Sequence, residues 1–354
     1  MKLKKIFAAI TCISIFVACK ESKPTDVTEK IIAAGQMPAI AKDASNNIQL
    51  VYGSGDSIMY ASSNDKGISF SVPVLVDTLN GLVASATRGP QITATKDGIA
   101  IIAVNNAGNI FSYYKNETGK WMKAAKINDA DTTDKEGFLG LSSDGQNNLF
   151  AIWPDLRNDK QNKIYGARSA DGGKTWSKNI MVYTSPDSTV CECCKPSVVM
   201  QDKHVYVMFR NWLHGNRDLY LIESLDAGIT FGEAQKLGNG NWPLNGCPMD
   251  GGGIAINSNG AAQTVWRREN KIYSCEPGAA EKEIAEGKNC SVETVNNKNI
   301  YAFTDKGNIY CLLPGAQKQL LGKGSLPILK SVSDNQVICI WQNDNQIYRS
   351  VLQL

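Results

Sequence analysis

The stretch Ser224-Leu225-Asp226-Ala227-Gly228-Ile229-Thr230-Phe231 decides the fold, because the chain contains two further copies of it. The copies run from Ser63 to Phe70 and from Ser169 to Trp176, and all three fit S-x-D-x-G-x-[ST]-[WF]. The aspartate of each octet can accept N–H groups of its own turn, and the glycine can adopt a positive φ. Three copies between strand-like runs indicate a repeat architecture. We therefore predict that Asp65, Asp171 and Asp226 hold structural turns.

The octet resembles the Asp box, also called the BNR repeat, of sialidases and of the wider sialidase-like β-propellers. The resemblance implies a propeller fold. It implies no activity, because in that family the motif is a structural turn remote from the catalytic centre.

Runs rich in Val, Ile and aromatic residues, separated by Gly, Asn and Asp turns, are typical of strands in meanders. Repeated units start near residues 37, 88, 136, 194, 247, 290 and 326, and the last has only three strands. The run from Glu29 to Ala33 is similar to fourth strands elsewhere and is predicted to complete that last unit. We predict an all-β fold, a β-propeller of four-stranded blades closed by the N-terminal strand, with seven blades and six as the alternative.

The first 18 residues have the pattern of a signal peptide, with three lysines followed by an apolar run from Ile6 to Val17. Ala18-Cys19 resembles a bacterial lipobox, which implies that Cys19 carries the lipid. Residues 19–26 are predicted to be a polar tether and residues 27–354 a single propeller domain. The implied location is the bacterial cell envelope, at the outer membrane or the periplasmic face, with the lipid as the membrane contact. An ordinary cleaved signal is the alternative.

The charge of the chain gives no reason to expect a nucleic-acid partner. The 37 basic and 34 acidic residues give a net charge of +3. The signal peptide contains three of the lysines and no acidic residue, so the rest of the chain is neutral. We expect a monomer.

The cysteines carry the most informative chemistry. Cys191, Cys193 and Cys194 precede the fourth unit, and Cys247 with Met249 precedes the fifth, so equivalent positions in adjacent blades are expected to converge. Outside the cytoplasm a disulfide from the triplet to Cys247 is one interpretation. The second is a soft-metal site for copper or zinc, with His214 or Met249 as further ligands. A redox-active thiol pair is the third. Cys275 and Cys290 are a further candidate pair.

Arginines and tryptophans cluster near the same predicted loops. The candidate ligand-binding residues are Arg88, Arg157, Arg210, Trp212, Arg217, Trp242, Asp250 and Arg267. Sialidases bind a substrate carboxylate with three arginines, and the stretch from Phe209 to Asp218 is similar to one of their arginine blades. Salt bridges and cation–π stacking are the alternative role for these residues.

The sequence departs from the sialidase pattern at the catalytic residues. Its tyrosines lie mostly within strand patterns, so a nucleophile is not evident, although Asp155 or Asp250 could act as an acid or base. The segments CECCKPS (residues 191–197) and CPMDGGG (residues 247–253) resemble segments of bacterial envelope propellers that are labelled exo-alpha-sialidase by similarity. We predict a lipid-anchored propeller that binds a soft metal or small ligand at a Cys-rich, Arg/Trp-lined face. An exo-alpha-sialidase acting on a glycan and a disulfide-stapled interaction scaffold are the alternatives.

Overall fold

The computed structural model describes residues 29–116, 118–131, 134, 136–187 and 189–354. Within them it contains 29 β-strands in seven sheets. The predicted signal peptide, the lipidation residue Cys19 and the tether of residues 19–26 lie outside the described residues. In the part of the chain that is described, no helix is long and apolar enough to cross a membrane.

Each sheet is an antiparallel meander that forms one blade of a seven-bladed propeller. Blade one contains β2 Gln36–Lys42, β3 Ile48–Ser54, β4 Ser57–Ser63 and β5 Val74–Thr78. Blade two contains β6 Gln91–Ala94, β7 Ile99–Val104, β8 Ile110–Lys115 and β9 Trp121–Lys126. Blade three contains β10 Gly140–Ser143, β11 Leu149–Asp155, β12 Lys163–Ser169 and β13 Ile180–Tyr183. Blade four contains β14 Thr189–Val190, β15 Ser197–Gln201, β16 His204–Leu213, β17 Asn216–Ser224 and β18 Gln235–Lys236.

The remaining blades keep the same order. Blade five contains β19 Gly253–Ile256, β20 Ala262–Arg268, β21 Lys271–Cys275 and β22 Lys282–Glu286. Blade six contains β23 Lys288–Val295, β24 Lys298–Asp305, β25 Asn308–Leu312 and β26 Gln319–Lys323. Blade seven contains β27 Ser325–Ser333, β28 Gln336–Asn343 and β29 Gln346–Gln353, with β1 Lys30–Ala34 as its fourth strand.

The N-terminal strand closes the ring. Lys30 lies opposite Arg349 and Ala34 lies opposite Gln346, so β1 covers the outer edge of β29. The predictions of seven blades and of N-terminal closure are confirmed, and the six-bladed alternative is wrong.

The core of the protein is divided into seven apolar clusters, one between each pair of neighbouring blades. The cluster between blades one and two contains Val51 and Ile101, and the one that joins blade seven to blade one contains Ile340 and Leu50. The clusters at the other five junctions have the same arrangement. Each sheet therefore buries side chains on both faces, which explains why the second strands are almost continuously apolar.

The three octets form the turns between the third and fourth strands of blades one, three and four. In blade four the Asp226 carboxylate accepts the Thr230 amide at 2.8 Å and the Thr230 hydroxyl at 2.6 Å, which hold the pKa of Asp226 well below its usual range. Asp171 makes the same two contacts with Thr175, at 2.9 and 2.6 Å. Burial opposes the shift at Asp65, but hydrogen bonds from Ser69 and Ser63 lower the pKa of Asp65 to about 2.

The octet glycine packs against the preceding blade. At Gly228 the φ is +78°, and a Cβ would lie 2.4 Å from Cε2 of Phe150 in blade three. We expect Gly228→Ala to lower the free energy of unfolding by about 2–4 kcal/mol, from the positive φ together with overpacking. Gly145→Ala is the matched control, because its φ is also +78° and nothing lies within 4 Å of the added Cβ. Urea denaturation of both variants measures the difference. Equal losses would show that contact with Phe150 is irrelevant.

The meander sorts the connections onto two faces. Because the octets join third to fourth strands, they lie on one face, here called the octet face. Connections from second to third strands and from blade to blade lie on the other, here called the mouth face. In blade four, β16 and β17 continue through the Asn211–Arg217 stretch to a two-residue turn. His214 and Gly215 both have positive φ in this turn, as the tight hairpin geometry requires.

Candidate functional site

A cavity of about 310 Å³ opens at the centre of the mouth face. The starts of the first strands line it, including Met37, Gln91 and Leu326, together with Lys195 just before β15. Asp250 and the glycines that follow it contribute the wall beside Lys195. A Cβ on Gly251 would lie only 1.8 Å from the Lys195 carbonyl oxygen, so glycine is required where the segment before β19 passes the segment before β15.

Three cysteine sulfurs converge beside this cavity, and we call Cys191, Cys193 and Cys194 the sulfur cluster. Their Sγ atoms all lie within 4.8 Å of one another. Cys191 Sγ is 3.4 Å from Cys194 Sγ and 3.6 Å from Cys193 Sγ. All three residues are buried. Among the described cysteines, no other group has a comparable convergence.

One disulfide joins the sulfur cluster to the neighbouring blade. Cys193 is bonded to Cys247, with a Cα–Cα distance of 6.0 Å, while Cys191 and Cys194 remain free thiols. The predicted bridge from the triplet to Cys247 is thus present in the structure. The suggested pairing of Cys275 with Cys290 is wrong, because both are free and lie buried at different junctions between blades.

The electrostatic environment differs between the two free thiols. Hydrogen bonding to Cys194 is the largest influence on Cys191, and with the Arg217 guanidinium it outweighs burial and lowers the pKa of Cys191 to about 7. Arg217 Nη1 lies 3.0 Å from Cys191 Sγ and also pairs with Glu192 at 3.2 Å. Burial raises the pKa of Cys194 well above its usual range. Cys191 is therefore the thiol that ionises first.

The predicted additional ligands lie in different places. Met249 packs against the sulfur cluster, and its Sδ is 3.5 Å from Cys247 Sγ. His214 is not brought to the cluster. It sits at the exposed tip of the β16–β17 hairpin, where its ring faces Asp187 at 3.5 Å and its backbone N–H is bound by the same carboxylate. The two-residue turn extends β16 and β17 and places the imidazole at this exposed tip.

Each of the five predicted arginines lies over an aromatic ring. The distances from guanidinium carbon to ring centroid run from 4.1 to 5.5 Å, for Arg88 over Phe138, Arg157 over Tyr165, Arg210 and Arg267 over Trp242, and Arg217 over Trp212. Arg157 also pairs with Asp155 and Asp129, both at 2.8 Å, and Arg88 donates to the Glu136 carbonyl. The arginines therefore make the salt bridges and cation–π contacts that were the alternative to ligand binding.

Arg210 donates hydrogen bonds to three segments of main chain. Its guanidinium donates to the carbonyls of Asp250, Arg217 and Arg267 at 2.7–3.1 Å, and the residue is 1% exposed. Four hydrogen bonds leave it at most one N–H for any ligand. The Asp250 carboxylate is likewise used internally, because it accepts the amides of Asn289 at 2.7 Å and Gly252 at 3.3 Å.

The candidate acid or base Asp155 is fully buried, and it accepts hydrogen bonds from Trp153 and Arg157. Burial and a hydrogen bond with Glu223 raise the pKa of Tyr206 to about 12. Tyr206 and Glu223 face each other near the octet end of blade four, away from the mouth face. This tyrosine–glutamate pair is therefore not placed to act on a ligand in the central cavity.

Two charged residues beside the sulfur cluster were missed in the sequence. Lys195 follows Cys194 directly, and its Nζ donates to Gln91 Oε1 at 2.8 Å. Burial lowers the pKa of Lys195 to about 8. Glu192 is the second, because it pairs with Arg217 beside Cys191. Both stand within or next to the CECCK run, so their proximity to the cysteines was a usable signal.

Comparison with known proteins shows the fold and no family. No protein-family profile matches the chain, and no curated protein matches it. An ulvan lyase of a new polysaccharide lyase family aligns with a TM-score of 0.56 at 9% identity, over 91% of this chain and 95% of the lyase. Virginiamycin B lyase from Staphylococcus aureus aligns with a TM-score of 0.55 at 12% identity, over 92% of this chain and 99% of the lyase. A Hadza microbial sialidase aligns with a TM-score of 0.48 at 14% identity, over 91% of this chain and 66% of the sialidase. The two lyases, at 9% and 12% identity, support the fold alone and no activity.

Proposed function

We propose that this propeller binds a soft metal ion, Cu(I) or Zn(II), at the sulfur cluster on its mouth face. The observation that carries the proposal is the convergence of three buried Sγ atoms from Cys191, Cys193 and Cys194 within 4.8 Å. Zinc–sulfur bonds of about 2.3 Å in a tetrahedral site imply sulfur–sulfur distances of roughly 3.8 Å. The separations of 3.4 and 3.6 Å around Cys191 are close to that value.

The donor set favours a soft ion. Thiolates, with the Met249 thioether beside them, suit Cu(I) and Zn(II), whereas hard cations prefer oxygen. Arg217 at 3.0 Å from Cys191 Sγ supports the thiolate that a metal needs, and Arg210 adds positive charge close by. Cys191 and Cys194 are available as they stand, while Cys193 becomes a ligand only after the bridge to Cys247 is reduced.

Metal content tests the proposal. The test protein starts at Lys20, keeps all 29 strands, and is purified anaerobically without chelator after mild reduction. We expect near-stoichiometric copper or zinc when the protein is measured by inductively coupled plasma mass spectrometry. The Cys191→Ala, Cys194→Ala double variant should lose the metal. Cys311→Ala, in the buried core of blade six, is the matched control and should keep it. Metal-free wild-type protein after incubation with Cu(I) and with Zn(II) would overturn the proposal.

Hydrolysis of sialosides is less well supported. The arginines that would bind a carboxylate are engaged by carbonyls, carboxylates and aromatic rings of the protein itself. The cavity remains a place where a small-molecule or glycan ligand could be tested, with the half-buried Lys195 amine in its wall. The interaction-scaffold alternative predicts that the cysteines hold no metal under any condition.

We also propose that the protein is anchored to the bacterial envelope by a lipid on Cys19, on the strength of the lipobox-like sequence. Cys19→Ala is expected to move the protein from the membrane fraction to the soluble fraction, because one buried CH₂ group contributes about 0.8 kcal/mol and the acyl chains would be absent. Cell fractionation with immunodetection, alongside labelling with a radioactive fatty acid, measures this. The anchor would be contradicted if Cys19→Ala stayed in the membrane fraction like the wild type and the wild type took up no fatty-acid label.

A further inference from the structure

A pair of buried free thiols lies directly beside a disulfide that reaches the surface. Cys191 and Cys194 are at most 3% exposed, and their sulfurs are 3.4 Å apart. Cys193 is also buried, but its partner Cys247 is exposed on the mouth face. The bridge therefore connects the sulfur cluster to solvent, and Cys191 Sγ is 3.6 Å from the buried sulfur of that bridge.

We propose that these four cysteines form a thiol–disulfide relay that exchanges the surface bridge Cys193–Cys247 for a buried bridge and releases Cys247 as a surface thiol. In the first step the Cys191 sulfur attacks Cys193 Sγ. The Cys191–Cys193 bond forms and the Cys193–Cys247 bond breaks. Cys247 leaves as a thiolate and takes up a proton, while Cys191 has given one up. One disulfide and two thiols are present before and after, so no oxidant or reductant is required.

A second exchange can move the bridge further inward. Cys194 attacks Cys191 Sγ at 3.4 Å, the Cys191–Cys194 bond forms, and Cys193 leaves as a thiol. Neither product requires a bridge between the adjacent residues Cys193 and Cys194. Arg217, 3.0 Å from Cys191 Sγ, faces the attacking sulfur, and the leaving sulfur of Cys247 is exposed to water, which solvates it.

The packing of the two loops holds the reacting sulfurs in place. Gly251 abuts the Lys195 carbonyl, which ties the segment that contains Cys247 to the segment that contains Cys194. Arg210 fixes the same two blades by bonding the Asp250 and Arg217 carbonyls. The exposed Cys247 thiol then attacks a low-molecular-weight disulfide from solution. The sulfur–sulfur bond of that disulfide breaks, a mixed disulfide forms at Cys247, and the other half leaves as a thiol.

A trapping experiment tests the relay. Metal-free protein is kept with chelator and without reductant, excess iodoacetamide captures any released thiol, and peptides are mapped by mass spectrometry. We expect carbamidomethyl-Cys247, with the disulfide now at Cys191–Cys193 or Cys191–Cys194. In Cys191→Ala the labelling of Cys247 should fall at least tenfold. In Cys194→Ala it should persist, with Cys191–Cys193 as the product, and Cys311→Ala should behave as wild type.

Two results would overturn the relay. The first is wild-type protein in which Cys247 stays bonded to Cys193 while Cys191 and Cys194 are alkylated directly. The second is equal Cys247 labelling in wild type and Cys191→Ala. The wild-type bridge map decides the question even if a variant fails to fold. Because the experiment contains no metal, its outcome is independent of the proposed metal site.

Discussion

Protein that begins at Gly35, and so lacks β1, is expected to lose about 4–6 kcal/mol of its free energy of unfolding. The strand pairs with β29 from Lys30 opposite Arg349 to Ala34 opposite Gln346. Backbone hydrogen bonds contribute about 1 kcal/mol each, and the partial burial of Ile32 and Ala33 against the core of blade seven adds roughly 1–2 kcal/mol. Such a loss is a large part of the 5–15 kcal/mol typical of folded proteins.

The same truncation exposes the edge of β29. Unpaired strand edges recruit other chains, so we also expect the shortened protein to form larger species. Urea denaturation followed by tryptophan fluorescence measures stability, and size-exclusion chromatography measures association. The control begins at Glu29 and keeps the strand. If the two proteins unfold at the same urea concentration, the N-terminal strand does not hold the ring closed.

The second large effect concerns the metal. Structural zinc sites with four ligands bind with about 10–16 kcal/mol, so one ligand contributes on the order of 3–4 kcal/mol. Cys191→Ala is therefore expected to weaken zinc binding by roughly 100- to 1000-fold, and Cys194→Ala by a similar factor. Competition against a coloured chelator, under reducing conditions so that Cys193 is also free, gives the dissociation constants.

Two controls separate ligation from general damage. Cys311→Ala removes a buried thiol of blade six and should leave the affinity unchanged. Met249→Leu keeps the apolar contact with the cluster but removes the thioether, so it should weaken Cu(I) more than Zn(II). Equal affinities in wild type, Cys191→Ala and Cys194→Ala would exclude both thiols as ligands.

The sequence predicted the fold well because the relevant signals are local and repeated. The octets contain their own hydrogen-bonding partners, so Asp226 and Thr230 make the same turn wherever the motif occurs. The blade count follows from the strand runs, and the fourth-strand character of Glu29 to Ala33 was visible in its composition. These properties depend on residues that are close together in the chain.

The site was only partly predictable, because its contacts join different blades. The convergence of Cys191 and Cys194 with a bridge to Cys247 depends on how two segments cross, and Gly251 against Lys195 sets that crossing. The sequence alone gave no way to choose between thiol and disulfide at each position. His214 does not reach the thiols, because the β16–β17 hairpin extends to a tight turn that carries it outward. The roles of the arginines depend on aromatic partners and carbonyls in other strands.

The most direct test of the central claim is X-ray absorption at the zinc edge on reduced, zinc-loaded protein. We predict a first shell dominated by sulfur at about 2.3 Å, supplied by Cys191, Cys193 and Cys194, and loss of sulfur from that shell in Cys191→Ala. A first shell of nitrogen or oxygen at roughly 2.0–2.1 Å, unchanged in Cys191→Ala, would show that the metal binds elsewhere and would contradict the account.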